Sequence, residues 1–203
     1  MPEFVTAPQL LALTALAAYL LGAIPFGIVI ARLFGLGDLR QIGSGNIGAT
    51  NVLRTGNKPA AALTLVLDAG KGGVAVLLAR ASLGDDAAQI AGFAAYLGHC
   101  FPVYLGFRGG KGVATYLGTL IALAWPIGLG ACLIWLATAL LFRISSLAAL
   151  VAALLAPALA FGLGPRDMLV LMVALGLLIW LRHRGNIIRM LDGTEPKIGT
   201  RKE

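Results

Sequence analysis

Apolar residues run through this chain in blocks longer than a strand or a core helix needs, and short polar stretches separate them. The blocks cover residues 8–34, 59–80, 87–104, 113–142, 147–163 and 168–181. About 20 apolar residues in helical form cross about 30 Å of hydrocarbon, so the pattern predicts membrane-spanning helices. Pro25 and Gly27 are expected to bend the first block. Asp85 and Asp86 follow Gly84 in a short acidic turn, and residues 164–167, Gly-Pro-Arg-Asp, make another.

The block at 113–142 holds no charge and reads two ways. One helix of that length would measure about 45 Å and need strong tilt. A break near Trp125-Pro126, or at Gly128 to Gly130, would make two helices, the first of them short. Charge favours the second reading. With seven spans and the N-terminus outside, thirteen of the sixteen basic residues lie on one side: Arg32, Arg40, Arg54, Lys58, Arg108, Lys111, Arg143, Arg182, Arg184, Arg189, Lys197, Arg201 and Lys202. With six spans, Arg143 and the basic C-terminal stretch move across. The positive-inside rule therefore predicts an all-α bundle of seven transmembrane helices with a cytoplasmic C-terminus.

Composition agrees. Hydrophobic residues make up 59% of the 203 positions and charged residues 12%, with a mean hydropathy of +0.88. The 27 glycines suggest closely packed helices. The net charge of +7 sits beside the apolar blocks, which fits orientation in a membrane and argues against nucleic acid as a partner. Glu3 is the only charge before the first block, so that block reads as a retained helix and not a cleaved signal. Residues 1–203 read as a single integral membrane domain. Cys100 and Cys132 show neither zinc spacing nor a disulfide framework, and the chain carries no acidic set for Mg²⁺. No metal and no cofactor are expected.

Three polar clusters interrupt the apolar pattern. The first runs from Gly43 to Arg54, Gly-Ser-Gly-Asn-Ile-Gly-Ala-Thr-Asn-Val-Leu-Arg. Its glycines permit positive φ and close backbone approach, its hydroxyls and amides add neutral hydrogen bonds, and Arg54 adds a planar cation suited to phosphate. The second is Arg108-Gly109-Gly110-Lys111-Gly112, opening a helix. Backbone N–H groups, a helix dipole and a lysine there would attract an anion, although the pattern is not a P-loop. The third is Arg182-His183-Arg184 with Asn186 and Arg189; it reads either as part of an anion pocket or as an anchor for anionic lipid headgroups. His99 ends a span, where a packing role competes with that of a base. Asp68 and Lys71 lie inside a span, where each charge costs roughly 2.5–3.5 kcal/mol and pairing at i, i+3 lowers that cost. Together the clusters predict a pocket for phosphorylated ligands at one membrane face.

The whole chain resembles the bacterial membrane acyltransferases that acylate glycerol 3-phosphate from acyl phosphate. The resemblance rests on Gly43 to Arg54, on Gly98 through Lys111-Gly112-Val113-Ala114-Thr115, and on Arg182-His183 with Asn186, Arg189, Gly193 and Glu195. Asp68, Lys71-Gly72 and Ser145-Ser146 also fit. The resemblance implies formation of 1-acyl-sn-glycerol 3-phosphate (lysophosphatidic acid) and phosphate, without a cofactor, in phospholipid synthesis. It implies a multi-pass protein of the bacterial inner membrane whose active site faces the cytoplasm among membrane lipids, and a partner enzyme that forms acyl phosphate. His183, Ser44, Lys111 and Asn186 are the implied catalytic residues. Gly43, Gly45, Asn46, Gly48, Thr50, Asn51, Arg54, Gly109, Gly110, Ser145, Ser146 and Arg189 are the implied substrate-binding residues, with Asp68, Lys71, His99 and Glu195 as secondary candidates. On chemical grounds the amides of Gly43 to Gly48, with Ser44 and Thr50, are expected to hold the donor phosphate, and Arg54, Lys111, His183 and Asn186 the glycerol phosphate. The base is either an oxygen of the donor phosphate, which needs no acyl-enzyme, or His183 or His99. The competing class is a transporter for a small phosphorylated solute, with Asp68 and Lys71 as coupling residues.

Overall fold

The computed structural model describes residues 3–163 and 166–199, and within them every regular element is helical. Gly164 and Pro165 of the expected turn, and Arg201 and Lys202 of the basic tail, lie outside the described residues.

The first apolar block forms α1 (Pro8–Ala23) and α2 (Phe26–Leu33). Pro25 has no N–H to continue the ladder, and the chain breaks at Ile24-Pro25. A five-residue helix, α3 (Ala49–Leu53), lies in the first polar cluster. Next comes α4 (Lys58–Leu83), started by the Asn57 side chain, which accepts from Ala60 N–H at 2.9 Å. Gly84, at φ 106°, separates it from α5 (Asp85–Cys100). Asp85 and Asp86 thus open a helix rather than complete a turn.

The 113–142 block is two helices, α6 (Val113–Leu123) and α7 (Trp125–Phe142). Ala124 is extended, with φ −151°, and Pro126 occupies the first turn of α7, where its missing N–H is harmless. Then follow α8 (Ser145–Leu163), α9 (Leu169–Arg182) and α10 (Arg184–Leu191), the last two meeting at a 57° bend.

Seven apolar segments are therefore helical, but they differ in reach. Among the described residues, four are long and apolar enough to cross a membrane, and the α9–α10 pair makes a fifth. The 11 residues of α6 rise only about 16 Å.

Close backbone contact holds the bundle together. Helix α1 lies on α5, and a Cβ at Gly22 would overlap the backbone of Ala95. Helix α4 lies on α6, and a Cβ at Gly72 would stand 2.7 Å from Thr115 O. Tyr96, Tyr116, Leu120, Ile127, Leu150, Met172 and Leu175 form a core shared by α5 to α9. Large apolar side chains also point outward; Leu140 is 71% exposed and Leu177 61%, as an acyl environment requires.

The two ends of the bundle differ. At one, Asp86 accepts from the backbone N–H groups of Val5 and Thr6, and Arg80 donates to Ala122 O and Leu123 O. At the other, the loops after α2, α5, α7 and α9 come together.

Candidate active site

The first cluster is built around Asn51, a buried residue of α3. Its Nδ2 donates to Leu39 O at 2.9 Å and to Asn46 O at 2.7 Å. Its Oδ1 accepts from the backbone N–H of Ser44 at 3.1 Å and from Ser44 Oγ at 3.3 Å. The loop therefore folds onto one amide side chain. Gly43 has φ 52°, and a Cβ there would lie 2.7 Å from Asn51 Oδ1 and from Arg54 Cδ. The amides of Ser44 and Gly45, expected as phosphate donors, are already used, the second by Ile42 O at 2.9 Å. Asn51, expected among the ligand donors, holds the loop together through these contacts.

The second cluster is held from outside. Gly109 N–H donates to Cys100 O and Gly110 N–H to His99 O, at 3.2 and 3.1 Å, so neither amide is free for an anion. At the expected anion cradle, Gly109 and Gly110 pack closely against the end of α5. Arg182, read in the sequence as part of the third cluster, forks onto the other side of the loop. Its Nη2 donates to Gly109 O and Gly110 O, both at 2.9 Å, and its Nε to Gly110 O at 3.1 Å. The guanidinium also stacks over Phe101, 5.1 Å from the ring centre. Tyr96 Oη donates to Lys111 O at 3.1 Å. Its proximity to the loop was not evident from its place inside an apolar span.

The third cluster turns on Glu195. Its carboxylate accepts from Ser146 Oγ at 2.6 Å, from Asn186 Nδ2, and from Arg189 Nε at 2.8 Å. A strap from Gly193 to Ile198 carries it. Glu195 N–H donates to Arg189 O, Arg54 Nη2 reaches Pro196 O at 3.4 Å, and Ile198 pairs with Arg143 through both its N–H and its carbonyl. Thr50 Oγ1 lies 3.2 Å from Ser145 Oγ, joining the first cluster to the start of α8. The three clusters are thus one assembly at one end of the bundle.

His183 caps α10 and is buried. Its Nδ1 is 2.8 Å from Ile179 O. A carbonyl only accepts, so Nδ1 carries the proton and Nε2 keeps a lone pair. Burial first, and then the nearby charge of Lys111, lower the His183 pKa to about 4, so the ring is neutral at pH 7. Burial lowers Lys111 to about 8, with Glu195 opposing and Arg189, Arg54 and Arg182 reinforcing. Burial also lowers Arg54. For Glu195 burial works upward, but the hydrogen bonds from Ser146, Asn186 and Arg189 outweigh it and hold the carboxyl below its usual range.

Asp68, Lys71 and His99 lie deeper and are all buried. Lys71 Nζ is 2.8 Å from Asp68 Oδ1 and donates to Ile24 O at 2.8 Å. An open cavity of about 650 Å³ lies to one side, between Ile28, Arg32, Leu39 and Leu105, and none of the candidate residues lines it. Among the described residues no His, Cys, Asp and Glu are grouped to hold a metal.

Comparison with known proteins gives this assembly its context. The chain is 72% identical to the glycerol-3-phosphate acyltransferase of Dinoroseobacter shibae over 202 residues, all of both chains. It is 72% identical to that of a Jannaschia species over 198 residues, 98% of each. Its fold matches the crystal structure of PlsY (YgiH), an integral membrane glycerol 3-phosphate acyltransferase, in the glycerol 3-phosphate form, with a TM-score of 0.88 and 44% identity over 94% of this chain and 96% of that one. The lysophosphatidic acid form of PlsY matches with a TM-score of 0.86 and 42% identity over the same shares. The glycerol-3-phosphate acyltransferase family profile covers residues 12–193, and the chain belongs to that family.

Proposed function

We propose that this membrane protein transfers an acyl group from acyl phosphate to the 1-hydroxyl of glycerol 3-phosphate, releasing lysophosphatidic acid and inorganic phosphate. The observation that carries the reading is the surplus of half-buried cations. Arg54, Lys111, Arg182 and Arg189 act on one another around the carboxylate of Glu195. Such a surplus is costly without an anion and favourable with two phosphates present.

Acyl phosphate is already activated, so holding the two reactants together is the main task. Arg54, Lys111 and Asn186 would take the phosphate of glycerol 3-phosphate. Ser44, Thr50 and the first loop would take the donor phosphate, and donors near the acyl carbonyl would steady its oxyanion. The glycerol oxygen attacks the carbonyl carbon, the bond from that carbon to the phosphate oxygen breaks, and the proton moves to the departing phosphate. A base works best with a pKa near the operating pH. His183, near 4, fits that role poorly, and its Nε2 lone pair is suited to accept a hydrogen bond from a glycerol hydroxyl instead. His99 is enclosed between Asp68 and Gly110, away from solvent.

The many basic residues at this end of the bundle favour a site that faces the cytoplasm from the inner membrane. A partner enzyme would deliver acyl phosphate. The test is an assay in detergent with purified protein, labelled glycerol 3-phosphate and, in turn, acyl phosphate, acyl-CoA and acyl carrier protein. Lysophosphatidic acid is expected from acyl phosphate alone. Product from another donor at equal rate would overturn the donor assignment, and a Lys111→Ala variant with an unchanged KM for glycerol 3-phosphate would overturn the site.

A further inference from the structure

We propose that His99 is a positioning residue for Lys111: its imidazole, braced by Asp68 and Lys71, is the surface on which Gly110 rests, and it sets where the neighbouring lysine stands. The proposal rests on the reading of Lys111 as a ligand of glycerol 3-phosphate.

The brace begins at the break between α1 and α2. Lys71 reaches the carbonyl of Ile24 and the Oδ1 of Asp68, each at 2.8 Å, and stands 5.7 Å from the centre of the Phe26 ring. The same Asp68 oxygen is 3.5 Å from His99 Nδ1. The Asp68 carbonyl accepts from Thr115 Oγ1 at 2.9 Å, which ties the start of α6 to α4. On its other edge the His99 ring meets Gly110. A Cβ at Gly110 would overlap His99 Nε2 and lie 3.1 and 3.2 Å from Cε1 and Cδ2. The Gly110 N–H is meanwhile fixed to His99 O. The ring therefore occupies the volume a side chain at Gly110 would need, and Lys111 is the next residue.

Gly109 provides the contrast. A Cβ there would meet His99 O, the Pro102 ring and Cys100 O. Those obstacles are mostly backbone, and no change to the His99 side chain removes them. Neither glycine has positive φ, so contact alone excludes alanine at both. A ring that sets the loop height should thus be exchangeable with a methyl group at Gly110 and with nothing at Gly109.

The experiment measures KM for glycerol 3-phosphate, kcat and thermal unfolding in detergent for Gly110→Ala, His99→Asn and their double variant, and for Gly109→Ala with and without His99→Asn. A loop displaced by about an ångström loses about 100-fold, so Gly110→Ala is expected to raise KM by about that factor, with kcat affected less. His99→Asn keeps a polar group toward Asp68, withdraws the ring, and should raise KM less. The double Gly110 variant should recover most of the loss, and the Gly109 pair none. A double variant no better than Gly110→Ala, or His99→Asn lowering kcat by orders of magnitude at unchanged KM, would overturn the proposal. If His99→Asn does not fold, His99→Gln carries the same comparison; if neither folds, His99 is a folding residue and the proposal falls. Lys111→Ala separately tests the reading on which the proposal depends.

Discussion

The loops at 43–54 and 108–112 share glycine, a terminal cation and a place at one end of the bundle, yet they are held in opposite ways. The first is organised from within: one buried amide, Asn51, gathers Leu39, Ser44 and Asn46. The second has no such centre. Carbonyls of α5 take its amides, and Arg182 and Tyr96 take its carbonyl groups. Glycine serves the first loop by permitting positive φ at Gly43 and Gly45; in the second, Gly109 and Gly110 leave room for neighbouring elements, and Gly112 has positive φ as well. The first should therefore fail by local collapse, and the second by displacement.

Asn51→Ala is the severest test of that contrast. It strips the Asn46 carbonyl and the Ser44 N–H of their partners and the Leu39 carbonyl of one of two donors, and each group left unpaired costs about 1–3 kcal/mol. Turnover should vanish and the unfolding temperature fall; activity within tenfold of wild type would break the comparison. Arg182→Ala should lower kcat/KM by about 100-fold through displacement of the second loop, with less effect on stability. Arg182→Lys should recover only part, because a lysine cannot fork onto two carbonyls.

The pH response of Lys111 sharpens the contrast at intermediate size. Its pKa in the folded chain is about 8, below the ordinary 10.5. The charged form predominates below that value and is lost above it, so KM for glycerol 3-phosphate should rise at most about tenfold per pH unit above about 8. Stability should change in the other direction. Between the two values the unfolded chain holds more protons, so the Lys111 contribution to stability grows as pH rises. Lys111→Arg should flatten both trends. The smallest effect is expected from Thr50→Val, which removes the contact with Ser145 and should cost about 1 kcal/mol. An unchanged kcat/KM would mean that Thr50 does not hold the donor phosphate.

Much of the architecture could be read from the residues because its causes are local. Pro25 and Pro126 stand at breaks, apolar runs mark the helices, and the clusters lie where the runs stop. What could not be read depends on approach across the fold. Asn51 has the chemistry of a ligand donor, and only the proximity of Leu39 shows it satisfied internally. The amides of Gly109 and Gly110 look open until the end of α5 lies beside them. The motif match singles out Arg182 and Glu195, but only tertiary contacts with Gly110 and Ser146 give them their places. The helix boundaries shifted for a simpler reason: α4 continues to Leu83 because little before Gly84 favours a stop.

The strap from Gly193 to Ile198 has a practical bearing on how the protein is handled. It follows the last helix and lacks regular structure, so it invites trimming when a shortened version is designed for crystallisation. Yet it supplies the acid that organises Ser146, Asn186 and Arg189, and it reaches back to Arg54 and Arg143. A version cut at Asp192 would keep every membrane helix and should insert normally, while losing its catalytic competence.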